Sequence, residues 1–363
     1  MANLHEYECP CCGGGLEFNS AVQKVKCPYC DTEFELSVLE TVDADLAEAG
    51  TDDISFQSTT GGDWGDSETD GMNVYVCKSC GGEIVTDATT GATKCPFCDN
   101  PVVMMGQFKG DLKPSRIIPF KKDKAAAKAA YLQHISGKKL LPPQFRDQNH
   151  IDEIKGVYVP FWLIDTTADA HIVFNGTKIK QWSDDDYDYE KRDYYSVLRV
   201  GTLSFKAIPV DSSTKMDDDL MDSIEPYDLK DAVDFKTAYL AGYMADKYDV
   251  SAEDSLERAT LRIKNSTEQA FRGTVKDFDE LSIKNDTLKT KDGKSEYVLL
   301  PVWILNTTYN GQKYVFAMNG QTGRMVGDLP CDKGLLSKYF WKYALTGGII
   351  AGVIMTLFQF LNQ

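Results

Sequence analysis

The chain has 363 residues, 42% of them hydrophobic, and a formal net charge of −16 at pH 7. This length and apolar content can supply more than one buried core, whereas the acidity argues against a nucleic-acid-binding protein, because phosphates favour basic surfaces. The N-terminus carries no apolar signal sequence, so we expect the bulk of the chain in the reducing cytoplasm, where thiols persist.

Residues 1–40 are predicted to form a first zinc ribbon. Two Cys-x-x-Cys pairs stand 14 residues apart, and four thiolates at such spacing are typical of a tetrahedral Zn²⁺ site in which tight turns point backbone N–H groups at the sulfurs. The predicted ligands are Cys9, Cys12, Cys27 and Cys30. Cys11 lies between the first two and is an alternative to either of them.

Residues 41–72 are predicted to form a flexible acidic tether. They hold nine Asp or Glu residues and no Lys or Arg, so they bury too little apolar surface to fold by themselves. Phe56 and Trp64 lie within this segment. A short docking motif is one interpretation of these aromatics, but isolated aromatics in a linker are more often without a role.

Residues 73–108 are predicted to form a second zinc ribbon, with Cys77, Cys80, Cys95 and Cys98 as ligands. These cysteines repeat the first set at a constant offset of 68 residues. Disulfides or a dithiol redox motif are the alternatives, but a redox Cys-x-x-Cys would need a βαβ context and no second pair. Because thiolates fill all four positions of each site, we predict two structural zinc ions.

Residues 109–332 are predicted to form a β-rich α+β domain with two related β segments. Its first part, residues 109–139, holds nine Lys or Arg residues and contains a predicted helix. Three interpretations of the basic side of this helix are open: it faces anionic lipid, it folds back on the acidic tether, or it is a solvated surface. Two similar runs with Pro two residues before Trp, at 159–167 and 300–308, are predicted to be strands.

This domain contains several turn signals, and the sequence lacks the common catalytic motifs. Asn175–Gly176, Asp292–Gly293 and Asn310–Gly311 predict hairpin turns. The acidic runs 184–186 and 217–219 are candidates for a divalent cation, but solvated turns explain them better. The sequence contains no phosphate loop, no metalloprotease spacing of its four His residues and no Gly-x-Ser-x-Gly elbow. We therefore predict a protein without enzymatic activity.

Residues 333–363 are predicted to form a C-terminal membrane anchor. The last 21 residues, from Tyr343 onward, carry no charge, and as a helix they would reach roughly the ~30 Å of a bilayer's hydrocarbon core. Three lysines precede this run, which favours a single-pass orientation with the bulk of the chain in the cytoplasm. A buried core helix is the alternative. Gly348 and Gly352 form a pattern compatible with self-association of the helix.

Several longer segments of the sequence indicate a family. They are the two ribbons, the two Pro-x-Trp strands and the segments MDSIEPYDL, YLAGYMADKYDVSAE and FAMNGQTGRMVGDLP. Together they resemble the bacterial TFIIB-type zinc-ribbon-containing membrane proteins of the YdjG-like group. The resemblance covers nearly the whole chain after the tether. It implies two zinc ribbons on a cytoplasmic domain anchored in the membrane, and phage-shock-type or flotillin-like proteins as partners in envelope stress.

The fold class expected from the sequence is therefore α+β, with two N-terminal Cys₄ zinc ribbons, a β-rich α+β domain and one C-terminal transmembrane helix. The expected function is that of a membrane-anchored adaptor that recruits cytoplasmic proteins to the cell membrane. A membrane-tethered nucleic-acid-binding or transcription-related protein is the alternative, which the ribbon type favours and the net charge disfavours.

Overall fold

The structure, a computed structural model, describes residues 17–19, 24–34, 56–59, 62, 64, 69, 72–86, 92, 94–107 and 112–361. The strands are β1 (Glu17–Asn19), β2 (Lys24–Lys26), β3 (Glu33–Phe34), β4 (Phe56–Thr59), β5 (Asn73–Cys77), β6 (Glu83–Thr86), β7 (Val102–Gln107), β8 (Arg116–Ile117), β9 (Lys155–Ser183), β10 (Asp188–Asp211), β11 (Val233–Asp234), β12 (Met244–Asp246), β13 (Glu280–Tyr309), β14 (Gln312–Asn319) and β15 (Met325–Val326). The α-helices are α1 (Lys124–His134), α2 (Gln148–Ile151), α3 (Asp218–Ser223), α4 (Leu256–Arg272) and α5 (Lys333–Leu361).

The chain divides into two compact units, each assembled from separate chain segments. Unit 1 comprises Met1–Thr59, Trp162–Val210 and Ala252–Glu296. Unit 2 comprises Thr60–Phe161, Asp211–Ser251 and Tyr297–Gln363. The long strands β9 and β13 contribute residues to both units.

The described part of unit 1 contains two groups of strands. β1, β2 and β3 form a three-stranded antiparallel sheet in that order. β10 pairs with β9, and β4 runs parallel to β13 with Phe56 opposite Gly293. Part of the predicted acidic tether is thus a strand of this unit, while most of residues 41–72 lie outside the described residues.

Helix α4 covers an apolar surface of unit 1. Its buried residues Ala259, Ile263 and Thr267 recur every four positions, which places them on one stripe of the helix. Ile263 packs with Ala168 and Leu288 in an apolar cluster. Removing a fully buried Ile side chain from water contributes about 2 kcal/mol, so this stripe fixes the helix on the strands.

The predicted hairpin turn at Asn175–Gly176 is wrong. β9 continues without interruption through both residues to Ser183. A Cβ atom added at Gly176 would lie 2.6 Å from the ring of Phe278, so the missing side chain at this position lets an aromatic ring approach the strand. Asp292–Gly293 also lies inside a strand, β13, where Asp292 has φ +56°.

The sheet of unit 2 includes the strands of the second ribbon. Its order is β11-β8-β13-β9-β12-β6-β5-β7, with β14 beside β13 and β15 beside β14. β12 joins the ribbon to the remainder, because it pairs with β6 on one side and β9 on the other. The predicted strands at 159–167 and 300–308 are confirmed within β9 and β13. The predicted turn at Asn310–Gly311 is confirmed, with both residues at positive φ between β13 and β14.

The predicted basic helix is confirmed as α1, which packs on the sheet of unit 2. Asp123 caps it by accepting a hydrogen bond from the N–H of Ala126 at 2.8 Å. The ring of Tyr131 packs edge-on against Phe316 in β14, and its hydroxyl donates to the carbonyl of Phe145 at 3.1 Å. A second apolar cluster in this unit receives Trp64 of the predicted tether, whose ring packs edge-on against Phe235.

The predictions of a transmembrane helix and of single-pass membrane localisation are wrong, and with them the predicted fold class. Within the described part of the chain, no helix combines the length and the apolar character needed to cross a bilayer. The described residues instead form a β-rich structure.

Candidate metal centre

The first half of the candidate metal centre is a tight turn at the end of β5. The N–H of Gly81 donates to the carbonyl of Cys77 at 2.8 Å, and the N–H of Cys77 donates to the carbonyl of Gly82 at 2.9 Å. Gly81 has φ +72°, a conformation that glycine adopts without strain. This turn brings Cys77 and Cys80 to the same side of the chain.

The second half is a turn of the same kind from Cys95 to Asn100. The N–H of Asp99 donates to the carbonyl of Cys95 at 3.0 Å, and the N–H of Cys95 donates to the carbonyl of Asn100 at 2.8 Å. Asp99 takes φ +61°. The N–H of Phe97 also points at Cys95 Sγ, at 3.4 Å, so the turn directs a backbone dipole at the sulfur of a candidate metal ligand.

The two turns bring four sulfur atoms together. The Sγ atoms of Cys77, Cys80, Cys95 and Cys98 all lie within 4.8 Å of one another. Cys77 Sγ is 3.4 Å from Cys98 Sγ, and Cys80 Sγ is 3.6 Å from Cys95 Sγ. A tetrahedral zinc site with Zn–S bonds of ~2.3 Å requires sulfur separations of about 3.8 Å. The four cysteines are thus placed to hold one metal ion.

The electrostatics of the site favour the thiolate form of Cys98. Burial by itself would raise the pKa of Cys98, but hydrogen bonds from the backbone N–H and side-chain amide of Asn100 and from the Cys77 and Cys80 thiols lower it to about 6. Burial raises the pKa of Cys95, which is completely shielded from solvent. Since metal binds the thiolate form, loading of the site must release protons from the thiols that are still protonated.

No family model and no solved structure matches this chain. The uncharacterized protein YdjG of Bacillus subtilis (strain 168) is 32% identical over 332 residues, an alignment that spans 78% of this chain and 96% of YdjG. The chain belongs to the YdjG family. Nearly the whole length of the relative is aligned, so the family relationship extends well beyond a single cysteine motif.

In this YdjG-family chain, the described half of the first ribbon repeats the second turn of the metal centre at the offset of 68 residues. The N–H of Cys27 donates to the carbonyl of Thr32, and the N–H of Asp31 donates to the carbonyl of Cys27, both at 2.9 Å. Asp31 has φ +56°. Lys26 pairs with Asp31 at 2.9 Å, as Lys94 pairs with Asp99 at 3.4 Å in the second ribbon.

The predicted first site is only partly within the described residues. Cys27 and Cys30 are described, whereas Cys9, Cys12 and the alternative ligand Cys11 lie outside. The structure therefore brings together four of the eight predicted ligands. A metal site in the first ribbon therefore stays a prediction.

Other strands of unit 2 bind the second turn of the metal centre in this YdjG-family chain. Asn306 Nδ2 donates to the carbonyl of Pro96 at 2.5 Å, and Lys313 Nζ donates to the carbonyl of Phe97. Lys155 Nζ donates to the carbonyl of Cys95 at 3.3 Å. The donors come from β13, β14 and β9, so three strands hold one turn of the ribbon. No local sequence signal marks these donors, because they are 57 to more than 200 residues away from the cysteines.

An unpredicted buried carboxyl group lies at the end of β12, the strand that joins the ribbon to the sheet. Asp246 is 3% exposed. Ser213 Oγ donates to Asp246 Oδ2 at 2.5 Å, and Oδ1 has no hydrogen-bond partner among the described residues. Burial raises the pKa of Asp246 to about 8, against the opposing effect of the Ser213 hydrogen bond. The raised pKa favours the protonated form of this carboxyl group at neutral pH.

Proposed function

We propose that this YdjG-family protein is a non-enzymatic zinc-ribbon adaptor, in which the second ribbon is a structural part of unit 2 and the first ribbon binds a protein partner. The observation that carries this proposal is a contrast between equivalent residues of the two ribbons. Pro96 and Phe97 are buried, whereas Pro28 and Tyr29 at the offset of 68 residues are exposed.

Zinc has a structural role in this proposal. Four thiolates complete a tetrahedral zinc shell, which leaves no position for water or a substrate. Small ribbons bury few apolar side chains, so their core contributes little free energy of folding. Metal binding supplies the remainder. The metal thus fixes the shape of the turn that a partner contacts.

The exposed turn supplies the chemistry for protein binding. Tyr29 is 78% exposed, whereas Phe97 is 3% exposed. Phe97 packs close to Gly82, where a Cβ atom would lie 3.0 Å from its ring. Exposed tyrosines on a rigid turn are frequent anchors of protein interfaces, because they bury a large ring at low cost in conformational entropy.

The contacts of the second ribbon indicate the kind of surface that the first ribbon binds. Carbonyl groups of the second turn accept hydrogen bonds from Asn306 and Lys313, which lie on paired strands. By analogy, the partner of the first ribbon offers a sheet surface with side-chain amide and ammonium donors beside an apolar recess for Tyr29. Phage-shock-type and flotillin-like proteins, which the family resemblance suggests, are the first partners to test.

The proposal predicts two zinc ions per chain. Full-length protein is expected to contain two zinc ions by elemental analysis, because the turn around Cys27 repeats the one around Cys95. Cys27→Ser is expected to lower the content to one. A wild-type content of one zinc ion would exclude a metal site in the first ribbon, and Cys331→Ser is the control that should leave the content unchanged.

The proposal also predicts that Tyr29→Ala weakens partner binding. Loss of a central aromatic anchor costs about 2 kcal/mol, or roughly thirtyfold in affinity. The measurement is titration calorimetry of the full-length chain with each purified candidate partner. Tyr29→Phe keeps the ring and should retain most of the affinity. This role of the turn would be contradicted if wild type and Tyr29→Ala bound with equal affinity to a partner whose binding depends on the first ribbon.

A further inference from the structure

The β9–β10 hairpin of unit 1 ends in a group of exposed aromatic side chains. Tyr187 is 68% exposed and Trp182 is 52% exposed. The ring of Trp182 is stacked on that of Tyr189 across the hairpin, with centroids 5.4 Å apart and an angle of 9° between the planes. Tyr187 lies 6.3 Å from Tyr189, centroid to centroid. Large apolar rings rarely stay in water as a group unless they bind something.

The turn between the two strands is held in one conformation. Asp184 Oδ1 accepts hydrogen bonds from the N–H groups of Asp186 and Tyr187, at 3.0 and 2.8 Å. Asp184 Oδ2 accepts one from the hydroxyl of Tyr189 at 2.9 Å. These bonds lower the pKa of Asp184, with the Asp186 N–H as the largest cause. The aromatic rings are thus presented on a preorganised turn, which limits the entropy lost on binding.

The same hairpin end is strongly acidic. Residues 182–195 contain six acidic residues and two basic ones. The basic residues are already used, since Lys191 pairs with Asp193 at 2.9 Å and Arg192 pairs with Glu190 at 2.6 Å. In the part of the chain that the structure describes, the remaining carboxylates of the turn make no salt bridge; they are those of Asp184, Asp185, Asp186 and Asp188.

Unit 1 already shows aromatic faces accepting an ammonium group. Lys178 Nζ lies 5.5 Å from the ring centroid of Tyr195 and 5.4 Å from that of Phe278. Both distances are within the ~6 Å range of a cation–π interaction. The rings at the hairpin end combine the same aromatic chemistry with carboxylates, which is the complement of a Lys or Arg side chain.

We propose that the end of the β9–β10 hairpin, formed by Trp182, Tyr187, Tyr189 and the carboxylates of Asp185, Asp186 and Asp188, is a docking surface for a basic peptide segment of a partner protein. Lysine or arginine side chains lie over the rings and pair with the carboxylates. Charge complementarity selects this occupant over a neutral carbohydrate, which would also stack on aromatic rings but gains nothing from the acidic side chains. The surface is separate in sequence from the first ribbon and does not depend on metal.

The test is fluorescence anisotropy of labelled octalysine and octaarginine with the full-length protein at two salt concentrations. Wild-type protein should bind both peptides, with weaker binding at the higher salt concentration. Tyr187→Ala should weaken binding about threefold to fivefold, whereas Tyr187→Phe should bind like wild type because it keeps the ring. Tyr187 is exposed, so neither change disturbs a core.

A matched control separates this surface from the general acidity of the chain. The double variant Asp185→Asn with Asp186→Asn should weaken peptide binding at least fivefold and reduce its salt dependence. The double variant Asp218→Asn with Asp219→Asn removes the same charge from another acidic run and should leave the peptide affinity within about twofold of wild type. Three results would overturn the proposal. They are equal weakening of peptide binding by the two double variants, an unchanged peptide affinity of Tyr187→Ala, and salt-independent binding of a neutral oligosaccharide with no binding of either peptide.

Discussion

Cys95→Ser is expected to unfold unit 2. The side chain of Cys95 is buried, and its sulfur belongs to the four-cysteine cluster. A structural zinc ion contributes on the order of 10 kcal/mol to such a site, which is comparable with the whole stability of a domain, about 5–15 kcal/mol. Because β5 and β6 continue into the sheet of unit 2 through β12, loss of the ribbon exposes the core on which β12 packs.

The equivalent change in the first ribbon provides the control. Cys27→Ser alters the matching turn at the offset of 68 residues, but β1 to β3 form a separate three-stranded sheet. It should therefore leave the unfolding of unit 2 unchanged. Limited proteolysis with mass spectrometry distinguishes the two outcomes, since cleavage in residues 112–161 reports on unit 2. A Cys95→Ser protein that loses zinc yet keeps the wild-type cleavage pattern would contradict a structural role for the ribbon.

Asp246→Asn is expected to stabilise the protein increasingly as the pH rises from 4 to 8. The folded-state pKa of Asp246 is about 8, raised by burial from 3.8. Between these values the unfolded chain loses this proton while the folded chain keeps it, so the wild-type stability falls as the pH rises through this window. At pH 8 this effect is on the order of a few kcal/mol. Asn cannot ionise, and its amide keeps the shape of the carboxyl group.

Denaturant unfolding of both proteins between pH 6 and 8 measures this effect, because their difference cancels the titration of the other groups. Asp249 is the matched control. Burial would raise its pKa, but hydrogen bonds from Thr214 and Lys215 lower it. Its ionised form is therefore favoured in the folded state, and Asp249→Asn should destabilise the protein at neutral pH. A constant difference between wild type and Asp246→Asn across the pH range would show that the carboxyl group is already ionised when folded.

The four clustered cysteines were predictable from the sequence because their spacing is local. Two residues between the members of a pair fix the turn, and the second copy at the offset of 68 residues identifies the pattern. The docking of the ribbon was not predictable in the same way. Asn306 and Lys313 belong to strands whose residue pattern shows only that they are β, and nothing in it indicates that their side chains contact Pro96 and Phe97.

Local turn signals were correct only where the surrounding strands agreed with them. Asn310–Gly311 lies between two strands that pair with each other, from Tyr309 opposite Gln312 onward. Asn175–Gly176 carries the same dipeptide, but here the glycine is required by the ring of Phe278. A glycine that permits close packing and one that permits a turn look identical in a sequence, and only the tertiary structure separates them.

The placement of the ribbon's docking residues also sets an order of events during translation. Cys98 leaves the ribosome 215 residues before Lys313, which at about 5–20 residues per second is roughly 10–40 seconds. For most of that interval β13 and β14 are not available to bind the second turn of the nascent ribbon, while β5 to β7 and Lys155 of β9 are synthesised earlier. We therefore expect metal captured during synthesis to stabilise the early ribbon, whose own strand pairs are β5 with β6 and β5 with β7.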